Sequence, residues 1–390
     1  MSQSFRCAIP GGAWVFEAIG SLIWPVRISR LADHPENAFD FLRFVAAFSV
    51  LYSHSFALLG LPEPFLIFSF PAANLGVYAF FVISGFLVCQ SWDRDPSLGR
   101  FAARRGLRLL PGLFVAVCFT VFVIGPLMTT LPVAQYFGTA GTWAYLLSNA
   151  GLSGGQYVLP GVFETNPYPA AVNGSLWTLR YEAILYIVLA IIGVTTRRTY
   201  LRWACLTLLT LFALGWCVSK ALGVDTYTIG LPFTTITFDW MALAVFSTFF
   251  FAGSSLYALR RSVQLSILAA LLLALPCMFA SNIFWATLFM WVFLPYATLV
   301  FAFRAPAIFR RFGKRRDCSY GIYVYAFPVQ QVVTYYAVKI GAGWFPVFAV
   351  SSIATVILAG LSWHYVERPA LGWKVRLINR QKLRASNVLR

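Results

Sequence analysis

Charge is what this sequence has least of. Only 11% of its 390 residues are Asp, Glu, Lys or Arg, and just 13 are acidic. A soluble domain with so little charge would have no surface to offer water, so that class is excluded. Stretches of alternating polarity about ten residues long are missing too, which excludes a membrane β-barrel. The seven cysteines (7, 89, 118, 205, 217, 277 and 318) include no CxxC pair. They fall mostly in or beside apolar runs and read as inert buried thiols, with no disulfide framework and no metal site. The start of the chain lacks a basic leader and a cleavage site, and Gly11, Gly12, Glu17 and Pro25 interrupt it. It is therefore not a secretory signal, and an interfacial helix on the cytoplasmic leaflet is the expectation. Internal repeats and long linkers are also lacking.

What is present is apolar length. Hydrophobic residues make up 59% of the chain and its mean hydropathy is +0.74. The apolar runs predict an all-α polytopic integral membrane protein with about ten transmembrane helices. Their places are 40–60, 70–91, 109–128, 175–195, 201–219, 240–258, 263–281, 284–303, 319–338 and 346–366. The net charge of +17 is carried by every second connection. One side holds Arg27 and Arg30, Arg94 to Arg108, Arg197 to Arg202, Arg260 and Arg261, Arg304 to Arg316, and the tail; the other holds only Lys220 and Lys339. This asymmetry predicts both termini in the cytoplasm and an even number of spans. Basic residues dispersed over all these loops form no stripe for nucleic acid, so no nucleic-acid partner is expected. The division is a cytoplasmic or interfacial segment 1–38, a transmembrane domain 39–368 and a basic cytoplasmic tail 369–390. Within the domain, residues 129–173 form a long outer loop without Lys or Arg, rich in Gly, Pro and aromatics. Loops of that length are usually functional or disordered. The aromatics argue for a folded one, either a carbohydrate-facing lid or a cap packed on helix ends.

Ionisable residues inside a span are costly and tend to mark function. Arg43 and His54 lie on one apolar segment, roughly 16 Å apart along a helix. Glu182 falls at about the same depth as His54 on the fourth span, so the carboxylate could orient the imidazole as a general base. Alternatives stay open: Glu182 could instead pair with Arg180, His54 could be a satisfied buried histidine, and Arg43 could snorkel beside Asp40. Arg104, Arg105 and Arg108 recur at helical spacing and could hold phosphates, anchor the topology or bind anionic lipid. Ser84 and Gly85 in FFVISGFLV would permit close helix approach. Pro328 should disturb the ninth span.

The segments NAFDFLRFVAA, FFVISGFLV, RRGLRLLP, NGSLWTLRYE, GSSLYALR, CSYGIYVYAFP and HYVERP occur in this order. Together they resemble the acyltransferase-3 family of membrane-bound acyltransferases, over about residues 36–370. The resemblance implies transfer of an acyl group, commonly acetyl, from cytoplasmic acyl-CoA to carbohydrate hydroxyls at a bacterial inner membrane, as in O-antigen and exopolysaccharide modification. It implies no metal. The family's essential histidine and arginine fall on His54 and Arg43, its basic motif on Arg104, Arg105 and Arg108, and its Ser-Leu-Trp…Glu motif on Ser175, Trp177 and Glu182. With Arg180, Ser175 and Trp177 are the candidate donors to the reaction's oxyanion. The histidine that some members carry in the late tyrosine-rich motif is replaced by Ala326, so a mechanism needing it is not expected. The short tail leaves no room for the fused esterase-like domain of many members. The rival expectation is a transporter or flippase in which His54, Arg180 and Glu182 form a polar pathway, although paired broken helices are missing.

Overall fold

The computed structural model describes residues 25–32, 36–67, 70–197, 199–230, 236–313 and 317–373. The expected interfacial helix at the start of the chain and most of the basic tail lie outside the described residues, as do Lys314, Arg315 and Arg316.

Each of the ten apolar segments coincides with a helix. They are α1 (Phe39–Ala57), α2 (Ala72–Arg94), α3 (Leu98–Phe119), α4 (Trp177–Thr195) and α5 (Leu201–Ala221), followed by α6 (Trp240–Ala258), α7 (Ile267–Met278), α8 (Ile283–Arg304), α9 (Ser319–Lys339) and α10 (Trp344–Ser362). A π turn, Thr120–Ile124, carries α3 on to Met128. Helix starts are fixed by short polar side chains that accept otherwise unpaired N–H groups: Asp239 for α6, Ser266 for α7 and Asn282 for α8. Seven of the ten, α2, α3, α4, α5, α6, α8 and α10, are long and apolar enough to cross a membrane. At twelve residues α7 reaches only about 18 Å, short of a bilayer's hydrocarbon. The remaining two, α1 and α9, are interrupted by polar residues, among them Arg43 and His54 on α1 and Gln330 and Gln331 on α9. Antiparallel strand pairs are confined to two- and three-residue stretches, as between Val26–Arg27 and Gln264–Leu265.

α2 is central and packs on α1, α4, α6 and α8. In α6, 72% of the apolar window is buried inside the protein, against 17% in α5, so α5 turns most of its surface outward. Leucines and isoleucines of α5, α7 and α10 stand exposed, as a lipid-facing surface requires. α9 packs on α1, α3 and α10.

The expected close approach through Ser84 and Gly85 is found between α2 and α6. A Cβ on Gly85 would lie 1.8 Å from the Phe250 carbonyl oxygen, and one on Gly253 would lie 2.1 Å from that of Val82. The Ser254 hydroxyl donates to the Gly85 carbonyl at 3.0 Å. The two backbones touch because neither glycine has a side chain to hold them apart. Gly85→Ala and Gly253→Ala should each lower stability by about 1–3 kcal/mol, the range for overpacking. Gly99→Ala, where a Cβ meets nothing within 4 Å, should not. Thermal melting of the detergent-purified variants measures this.

Candidate functional site

The polar interior begins at the helix ends that carry the arginine loops. Arg43 sits one turn into α1, its Nη1 3.4 Å from Asp40 Oδ1 and 3.6 Å from Asp317 Oδ2. Arg108, on α3, donates from Nη2 to the same Asp317 oxygen at 2.5 Å. The Ser319 hydroxyl donates to Asp317 Oδ1 at 2.5 Å. One carboxylate just before α9 thus gathers α1, α3 and α9. Burial by itself would raise its pKa, but the charges of Arg108 and Arg43 outweigh burial and hold it well below the usual carboxylate range.

Above this knot is a cavity with about 720 Å³ of open space, lined among others by Arg43, Arg105, Arg108, Ser84, Glu182 and Tyr186. The Arg105 guanidinium lies 5.7 Å from the centre of the Tyr186 ring. Three cations converging on a partly enclosed space favour an anionic ligand. The fourth expected arginine is elsewhere. Arg104 is engaged with the Asp95 carboxylate and donates to its backbone oxygen at 3.0 Å. Arg100 shares that carboxylate at 2.6 Å. Hydrogen bonding from Arg100, then from Arg104, lowers the Asp95 pKa to about 2. Neighbours on a helix point about 100° apart, which is why Arg104 and Arg105 part company.

Glu182 also belongs to the arginine cavity. It accepts from the Ser84 hydroxyl at 2.6 Å and from the Tyr186 hydroxyl one turn along α4. The expected pairing with His54 is not formed, nor is the alternative with Arg180. Matched depth on two helices does not fix the direction in which each side chain points, and residues two apart on a helix face away from each other. Arg180 turns instead toward the 129–173 segment, over the rings of Tyr181 and Phe238. There it lines a small pocket with Asn149, Gly154 and Tyr157.

His54 lines a second cavity, at the opposite ends of the helices, with about 1030 Å³ of open space. Ser175, Trp177, Glu63, Asn74 and Lys220 share it. His54 Nδ1, Ser175 Oγ and Glu63 Oε2 are all buried without a hydrogen-bond partner. All three atoms are left with hydrogen-bonding capacity that a ligand or water in this cavity can meet. The imidazole meets Phe327 edge-on at 5.0 Å. Among the described residues no group of three His, Cys, Asp or Glu side chains is arranged to hold a metal ion.

α9 fastens this end. Gln330 donates to the Leu51 carbonyl at 2.8 Å and to Ser55 Oγ at 2.9 Å, bracing the turn that presents His54. Gln331 donates to the carbonyls of Tyr168 and Ala171, and accepts from Asn166. The 129–173 segment is therefore a folded cap tied to α9. It contains two helices, Val133–Gly138 and Ala140–Ala150, with Tyr136 and Tyr145 fully buried. Pro328 sits inside an otherwise continuous α9, and Ala326 is buried beside it. The sequence reading passed over Glu63, Gln330, Gln331 and Asp317. The signal for Asp317 was available: an isolated acid closing a basic run, directly before a tyrosine-rich helix.

A family model described as "Acyltransferase domain" matches residues 36–364. Among curated proteins the chain is similar to the "O-acetyl transferase" of Shigella phage Sf6. The two are 29% identical over 341 residues, covering 86% of this chain and 96% of that one. It is also similar to "Nodulation protein 10" of Rhizobium leguminosarum bv. viciae, 29% identical over 369 residues, covering 88% and 96%. No solved structure matches.

Asp317→Ala would leave Arg43 and Arg108 facing each other without the carboxylate between them. A loss of about 3–5 kcal/mol is expected, the range for breaking a buried pair. The Asp317 pKa is depressed on folding, so its contribution is complete above its ordinary value of 3.8 and is lost as pH falls toward the lower folded value. Melting of wild type should therefore be insensitive to this group between pH 5 and 8, and the variant should be destabilised across that whole range.

Proposed function

The chain belongs to the acyltransferase-domain family over residues 36–364 and is a membrane O-acyltransferase; from that premise we propose that it moves an acetyl group from cytoplasmic acetyl-CoA to a hydroxyl of a cell-surface or lipid-linked carbohydrate. In this reading the chain crosses a bacterial inner membrane an even number of times, both termini and the arginine loops are cytoplasmic, and residues 129–173 cap the outer face. The observation that carries the reading is the division of labour between the cavities: three arginines around one, and in the other an imidazole whose buried Nδ1 has no partner.

The phosphates of the donor dock on Arg43, Arg105 and Arg108, as charge-assisted hydrogen bonds favour. Arg104 supports them indirectly, through the Asp95 clamp at the start of α3. The thioester reaches toward His54, and the sugar hydroxyl enters beneath the cap. His54 takes the hydroxyl proton as the oxygen attacks the thioester carbonyl carbon. The C–O bond forms, the C–S bond breaks, and the sulfur leaves with the electron pair and accepts the proton from the imidazolium. Ester and free thiol are the products. Ser175 Oγ has no partner and is the first candidate donor to the oxyanion, with Trp177 beside it; Arg180 is turned toward the cap and is the weakest of the three. Glu182 acts by positioning, holding Ser84 and Tyr186 along the donor's route.

The test supplies radiolabelled acetyl-CoA to membranes and follows label into glycan. His54→Ala should reduce transfer by roughly 100-fold or more, the scale of general-base catalysis, with the protein still folded. Label incorporated at the wild-type rate would sink the role of His54, and no labelling by any acyl-CoA would favour transport of the carbohydrate instead. Arg105→Ala should raise the KM for acetyl-CoA by about tenfold or more, the equivalent of one hydrogen bond to a charged group. Its effect on the KM for the acceptor should be small.

A further inference from the structure

The two cavities meet. Their linings share three residues from three helices: Val77 of α2, Thr178 of α4 and Tyr323 of α9. Arg43, Arg105 and Arg108 line only the first cavity, and His54, Ser175 and Glu63 only the second. Across the trio the hydroxyls of Thr178 and Tyr323 are hydrogen-bonded at 2.5 Å, and both side chains are buried. The Thr178 hydroxyl also lies 3.4 Å from the Ser175 carbonyl, a second acceptor within its reach. Phe80 backs the Tyr323 ring edge-on at 5.7 Å.

We propose that Val77 and the Thr178–Tyr323 hydrogen bond form the partition between donor and acceptor cavities, and that the aperture they leave sets the longest acyl group transferred. The inference rests on the acyl-transfer reading above and deepens it. A phosphate-bearing donor is retained by the arginines on one side. The attacking hydroxyl is brought to His54 on the other. The thioester carbon meets that hydroxyl only across this wall, so the wall must admit the acyl group. A bond between two side chains of different helices opens by a change of χ1 at Tyr323 or Thr178, without displacing a backbone. Acetyl needs little widening, whereas each further methylene must fit between Val77 and the phenol. Pockets discriminate a single methylene by about 10–200-fold.

The experiment measures transfer by the purified full-length protein in nanodiscs, from acetyl-, propionyl-, butyryl- and octanoyl-CoA. Binding of each acyl-CoA is measured separately by isothermal titration. Val77→Ala and Tyr323→Phe should raise butyryl over acetyl kcat/KM by about tenfold or more relative to wild type. Val77→Phe should cut acetyl transfer at least as much while leaving the Kd for acetyl-CoA unchanged. Thr178→Val keeps the shape of the side chain while deleting the hydroxyl, and should shift the chain-length profile in the same direction as Tyr323→Phe. It serves if the Val77 variants do not fold. Wild-type acetyl transfer with one chain-length profile in every folded variant overturns the partition alone. A wild type that binds and transfers no acyl-CoA overturns the acyl-transfer reading, and the partition with it.

Discussion

A guanidinium inside a helix bundle must be met by a carboxylate or left as a site for one. Arg43 and Arg108 are met by Asp317, and through it α1, α3 and the start of α9 are drawn to one point. Arg100 and Arg104 are met by Asp95, which fixes the entry into α3. Arg260 is met by Asp93, which fixes the end of α2 against α6. With few acids in the chain, Asp317, Asp95 and Asp93 each serve more than one cation or helix. The opposite end is organised by neutral amides instead: Gln330, Gln331 and Asn166 tie α1, α9 and the cap without adding charge near His54.

Much of the fold was legible because apolar length is a strong signal. All ten segments coincide with helices, and the small residues of FFVISGFLV do mark a backbone contact. The span count was less legible. α1 and α9 carry internal polar residues and α7 is short, so length and composition alone qualify seven. Within the site, Arg43 and His54 could be placed on one helix from spacing alone. Their partners could not. Glu182 was matched to His54 by depth, but its azimuth turns it to Ser84 and Tyr186 on the other side of the partition. Arg104 and Arg105 look alike in sequence, yet one step of helix sends the first to Asp95 and the second into the cavity. The 129–173 segment was legible as something folded through its aromatics, though its anchoring to α9 depends on Asn166 and Gln331, whose separation of 165 residues no local pattern encodes.

The two ends are complementary in kind. One is lined by three arginines, two of them met by Asp317; the other holds His54 Nδ1, Ser175 Oγ and Glu63 Oε2, buried without a partner. Helix α9 joins them, with Tyr320 and Tyr323 toward the arginines, and with Phe327, Gln330 and Gln331 toward the histidine and the cap. A change in α9 therefore reaches both cavities, whereas α2 is pinned by backbone contact to α6 and presents Val77 from a fixed wall.

The meeting of two cavities at three side chains has an electrical consequence. Across lipid, the membrane potential falls over about 30 Å of hydrocarbon. In the proposed membrane orientation, with water in both cavities, the same potential falls mainly across Val77, Thr178 and Tyr323. At 100 mV that drop is worth about 2.3 kcal/mol for each elementary charge carried through it. The hydroxyl pair is then also the insulator of the pathway, and the field it supports is strongest where the dipoles of Thr178 and Tyr323 lie.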